Sequence, residues 1–216
     1  VGTITADYTA ASIFFLFFRL SYQAIEFKNN SALRNALMIA LPIATLCALK
    51  STFITVSAVL FIGHYFLCYR RLGDYRPLVK EFILAVLIIF VFLLPWMLSM
   101  LASSGTLLYP ILGRGYQGTA YGAFKHVIQF DLYSLWRLFF VGFDSLITLL
   151  PLAALGVVTH GLAASEEKKF FWLVFLSSAV GVLAIIFLIG GYSLYYYSFP
   201  YLFPSIIFAT AIALAS

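Results

Sequence analysis

The chain has 216 residues, of which 63% are hydrophobic and 10% charged, with a net charge of +5 and a mean hydropathy of +1.03. An ordinary soluble domain is about 25% charged, so this composition excludes a water-soluble globular enzyme and indicates an integral membrane protein. The basic residues are split among short segments instead of forming one stripe, which excludes nucleic acid as a partner.

A hydrocarbon core of about 30 Å takes about 20 helical residues. Continuous apolar runs predict spans at roughly 6–25, 34–49, 51–69, 81–101, 137–160, 170–190 and 200–216. The runs do not alternate, and lipid requires every backbone polar group to be satisfied internally. An all-α polytopic transmembrane helix bundle of about seven spans is therefore expected, forming a single domain over 1–216. The chain opens on Val1 and closes at Ser216 within an apolar run, which reads as an internal piece of a longer polypeptide. The 23 Phe suit the lipid-facing surface, and the Tyr and Trp residues suit the interfaces.

The first span begins at Gly2-Thr3-Ile4-Thr5-Ala6-Asp7, where Asp7 is either a helix N-cap or a site carboxylate. Arg19, near the far end, is expected to snorkel. The second and third spans meet at Lys50-Ser51-Thr52, a tight hairpin. Lys50 stands alone there, so it either snorkels or holds an anion such as a lipid phosphate. Ser51 and Thr52 add hydroxyl donors at the start of the next helix, an end that favours anions. Cys47 and Cys68 fall inside spans, outside any CxxC spacing, and are expected to pack as small hydrophobes without a disulfide or a metal.

The fourth span runs through Pro95-Trp96 into the longest polar segment, about 102–136, read as an external loop that carries an interfacial helix at about 119–136. Arg114 lies between two glycines, which let the backbone approach a ligand, and arginine pairs bidentately with phosphate; the bland alternative is a solvated surface arginine. Lys125, His126 and Asp131 flank the interfacial segment, with His126 a candidate acid or base or a structural side chain. Asp144 is the most intramembrane carboxylate of the following span, marking a site or a buried polar contact, or else lying at the interface near the helix start. From Phe170 onward no residue is charged, and Gly190-Gly191 with Pro200 is expected to break the run into two spans joined by a Tyr-rich turn at 190–199.

Lys and Arg set the orientation. Lys28, Arg34, Arg70, Arg71, Arg76, Lys80, Lys168 and Lys169 fall on one side and Lys50, Arg114, Lys125 and Arg137 on the other, eight against four. Loops 26–34, 70–80 and 161–169 are therefore expected in the cytoplasm, with Asp7, Lys50 and the long loop outside.

Three stretches resemble the GT-C superfamily of polytopic glycosyltransferases, which includes protein mannosyltransferases and aminoarabinose transferases. Leu41-Pro42-Ile43-Ala44-Thr45-Leu46-Cys47-Ala48-Leu49-Lys50-Ser51-Thr52-Phe53 looks like that family's helix-Lys-helix hairpin. Pro95-Trp96 followed by Ser104-Gly105-Thr106-Leu107-Leu108-Tyr109-Pro110 is similar to its Pro-Trp…Gly-Asn-Pro-Tyr-Pro pattern, departing from it with Thr106-Leu107 in place of Asn-Pro. Tyr195-Tyr196-Tyr197-Ser198-Phe199-Pro200-Tyr201-Leu202-Phe203-Pro204 looks like the Tyr-rich start of a late family span, without the Arg or Lys often found nearby.

The resemblance implies transfer of a sugar from a polyprenyl-phosphate donor to a glycan, lipid or protein acceptor on the external face of the inner (plasma) membrane. The lipid-phosphate-linked sugar would be a substrate, and no cofactor is assigned. The main catalytic carboxylate would lie in a first external loop upstream of Val1, so the fragment alone is expected to be inactive. Asp7 matches a secondary acidic position, and Lys50 matches the lysine near the donor phosphate. Arg114, Ser51, Tyr109 and His126 join Lys50 as substrate-binding candidates. An O-antigen polymerase or ligase-like protein is a second reading. A transporter or flippase is a third, although no internal repeat is visible.

Overall fold

The computed structural model describes residues 2–26, 31–50, 52–72, 75–105, 107, 143–162, 165–189 and 194–215. These residues form seven helices and no strand, an all-α polytopic bundle. They are α1 (Gly2–Glu26), α2 (Ala32–Leu49), α3 (Phe53–Leu72), α4 (Tyr75–Ser104), α5 (Phe143–Gly161), α6 (Ser165–Ile189) and α7 (Leu194–Ala215). Five of them, α2, α3, α4, α6 and α7, are long and apolar enough to cross a membrane, and α5 contains a shorter apolar run, Ile147–Gly161. The chain is a multi-pass membrane protein whose outer surface meets lipid.

Helix is the element that lipid permits, and polar side chains within the spans comply with it. Thr45 donates to the Leu41 carbonyl at 2.8 Å, Ser177 to Leu173 at 2.7 Å and Ser205 to Tyr201 at 2.5 Å, each bond staying inside its own helix. Ser31 caps α2, its Oγ accepting from the Arg34 N–H at 3.4 Å. Gly105 ends α4 at φ +71, and its N–H reaches the Leu101 carbonyl at 3.0 Å. Only glycine adopts that left-handed backbone without cost.

Helix ends differ from the sequence expectation in instructive ways. Arg76 and Lys80, assigned to a loop at 70–80, lie on α4, and Pro77 sits in its first turn, where no intrahelical N–H partner is needed. Lys168 and Lys169 likewise lie on α6, not in a loop. Lys168 Nζ donates to the His160 carbonyl at 2.9 Å and so caps the C-terminus of α5. Pro200 does not break the last apolar run: it and Pro204 are inside α7. The expected turn at 190–199 is therefore helical from Leu194 onward, because the surrounding helices and hydroxyls of a membrane bundle re-satisfy what proline leaves open.

Element α1 packs along α2, α3 and α7; α6 lies against α3, α5 and α7; α4 flanks the bundle beside α2, and α5 lies beside α7. The centre is aromatic. Phe14, on α1, meets Phe53 at 5.5 Å and Tyr201 at 5.9 Å between ring centroids, both edge-on. Phe17, Phe18, Phe170 and Phe171 are also fully buried. Phenylalanine therefore fills the core as well as facing lipid. The lipid face is clearest on α4, where Phe90, Val91, Phe92 and Leu98 are exposed.

Candidate functional site

Among the described residues, two polar layers interrupt the apolar bundle. Ser21 lies roughly four helical turns along α1 from Asp7, so the two layers fall at opposite ends.

At the first end, α2 stops at Lys50, whose backbone turns extended (φ −151, ψ 129) while its N–H still reaches the Leu46 carbonyl at 3.3 Å. The Phe53 N–H then bonds the Lys50 carbonyl at 3.0 Å and opens α3. A lysine at a helix C-terminus complements the partial negative charge of the last carbonyls. Its ammonium does not snorkel into open solvent. Lys50 Nζ meets Asp7 Oδ1 at 2.5 Å, and the two side chains are 18% and 13% exposed. The ammonium also stands 5.8 Å over the Phe53 ring. Beside it, Thr52 is buried and its Oγ1 has no hydrogen-bond partner.

Asp7 is therefore not an N-cap. It lies inside α1, which starts at Gly2 with no acidic residue in its first turn, and it acts as the counter-ion of Lys50. Of the site residues expected from sequence, the structure brings these two together. Ser51, Tyr109, Arg114 and His126 lie outside the described residues, as do the expected interfacial helix and Arg137. Arg19 is exposed, as a snorkelling side chain requires, and Cys47 and Cys68 are buried free thiols. Among the described residues no group of three or more His, Cys, Asp or Glu could hold a metal ion.

The opposite end carries a layer that sequence reasoning passed over. His64, on α3, is 1% exposed. Its Nδ1 shares a hydrogen bond with Ser21 Oγ at 2.6 Å, and its Nε2 lies 3.6 Å from Cys68 Sγ, one turn along the same helix. The neighbouring Tyr65 meets the His64 ring edge-on at 5.1 Å. Glu81, on α4, is 8% exposed and accepts a hydrogen bond from Asn35 Nδ2 on α2 at 3.2 Å. Tyr22 donates to Glu167 Oε1 at 3.0 Å, linking α1 to α6. A signal was available: an ionisable residue in an apolar span marks a site or a paired contact by default. Both His64 and Glu81 satisfy it, although Glu81 stands at the edge of an expected span, where a charge is unremarkable.

No protein-family profile matches the chain, and no curated protein or solved structure matches it.

Proposed function

We propose that this chain is part of a polytopic membrane glycosyltransferase of the GT-C kind, which moves a sugar from a polyprenyl-phosphate donor to an acceptor at the Lys50 end of the bundle. The observation that supports the reading is the pairing of Lys50 with Asp7 at the helix-Lys-helix turn. The pair holds a cation at the rim of the bundle, where the phosphate of a membrane-anchored donor would lie. As the glycosidic bond to that phosphate breaks, negative charge grows on the phosphate oxygens, and a positioned ammonium stabilises it. Asp7 orients Lys50 before the donor arrives and shares it afterwards. A general base that deprotonates the acceptor is required in addition, and Arg114 is assigned to the donor phosphate with Lys50. The bias of Lys and Arg toward the opposite end supports an external location for this one.

The test is transfer from a polyprenyl-phosphate sugar by the full-length protein. Lys50→Ala is expected to abolish transfer at unchanged expression, and Arg114→Ala to raise the donor concentration required. Unchanged turnover in Lys50→Ala removes the donor-phosphate role.

A further inference from the structure

The polar layer opposite Lys50 has no part in the proposed transfer, and one corner of it is incomplete in charge. Glu81 is 8% exposed, and its hydrogen-bond partner Asn35 is a neutral amide. No lysine or arginine among the described residues forms an ion pair with it. His64, next to Tyr65 on α3, is engaged by Ser21 and Cys68. Two further oxygens gather at this corner. The Tyr65 hydroxyl, on a side chain 7% exposed, stands beside the Glu81 carboxylate. Asn35 Oδ1 is buried and receives no donor, although Nδ2 of the same amide holds the carboxylate. A buried carboxylate with no counter-charge is costly, and so is a buried acceptor with no donor. One positive charge among these three side chains would answer both.

We propose that Glu81, Asn35 and Tyr65 form a binding site for one hard monovalent cation of the sodium type. The donors are a carboxylate, an amide carbonyl and a phenolic oxygen, a hard set that suits an alkali or alkaline-earth ion over a soft metal. Cys68, the soft ligand nearby, is turned to His64. The set carries one negative charge, so a monovalent ion leaves the corner neutral, whereas a divalent ion would leave an excess charge inside the bundle. The three ligands come from α4, α2 and α3, so the ion ties the flanking helix α4 to its two neighbours. Glu81 is less than two turns from the exposed start of α4 at Tyr75, which gives the ion a short path from water.

The experiment measures thermal unfolding of the full-length protein in nanodiscs, in sodium chloride against choline chloride at equal ionic strength. Sodium is expected to raise Tm saturably, following ligand linkage. Glu81→Gln is expected to abolish the rise, and Asn35→Ala to weaken the apparent affinity about tenfold, the loss of one coordinating group. Equilibrium binding of radioactive sodium to the wild-type protein reports on the site even where Glu81→Gln does not fold. Absence of sodium binding by the wild-type protein overturns the proposal, as does equal binding by Glu81→Gln. A stability that responds to pH but not to sodium also overturns it and assigns the corner to a proton.

Discussion

Lys50 Nζ and Asp7 Oδ1 stand 2.5 Å apart, closing the start of α1 onto the end of α2 across 43 positions of sequence. Both side chains are mostly out of water, so neither charge is cheap to leave alone. Asp7→Asn and Lys50→Met should each destabilise the bundle by about 1–3 kcal/mol, below the full cost of breaking a buried pair because some exposure remains. The double variant should recover part of the loss. A double-mutant cycle in denaturant checks this, and strict additivity would show that the two charges act separately.

Phe14 should be the costliest aromatic to remove. It is fully buried and meets Phe53 and Tyr201 edge-on, so Phe14→Ala loses contacts to α3 and α7 together. A loss of about 3–5 kcal/mol is expected, read as a lowered Tm in nanodiscs.

Gly181 is a position where α6 tolerates no side chain. A Cβ there would sit 2.2 Å from Val56 Cγ2 and 3.1 Å from the Tyr201 hydroxyl. Gly181→Ala should destabilise by about 1–3 kcal/mol through overpacking. Gly161→Ala, where nothing lies within 4 Å, serves as the control and should be close to neutral.

The thiols of Cys47 and Cys68 should be silent toward a maleimide until the bundle is denatured, since both are buried. In a background with both replaced, Tyr75→Cys provides an exposed thiol at one end of α4. Labelling of that thiol from the cytoplasmic side alone is the outcome expected from the Lys and Arg bias, and labelling from outside reverses the orientation.

The spans were legible because lipid leaves a narrow choice: a continuous apolar run must be helix, and the described helices lie where the runs are. Their ends were not. Arg76, Lys80, Lys168 and Lys169 count as loop residues by polarity, yet lysine and arginine are good helix formers and lie within the first two turns of α4 and α6. Pro200 was read as a break by a rule suited to helices in water. At the site, Asp7 and Lys50 each stood out as a lone charge, but a contact across so long a sequence separation leaves no local pattern. The alliance of Glu81 with Asn35 and Tyr65 was less visible still, because two of its three members are neutral.

The length of α4 makes the thickness of the bilayer an input to this protein. Thirty residues at 1.5 Å each give a rod of about 45 Å, against a hydrocarbon core of about 30 Å. The excess must be taken up by tilt or by protrusion. One face of the rod packs along α2, with Leu78, Ala85 and Leu93 buried, and its other faces are exposed to lipid. Pro95, just beyond the buried Leu93, is a point where the rod can bend. The stretch beyond Pro95 toward Gly105 is then where a mismatch with the bilayer can be accommodated while the packing on α2 is kept.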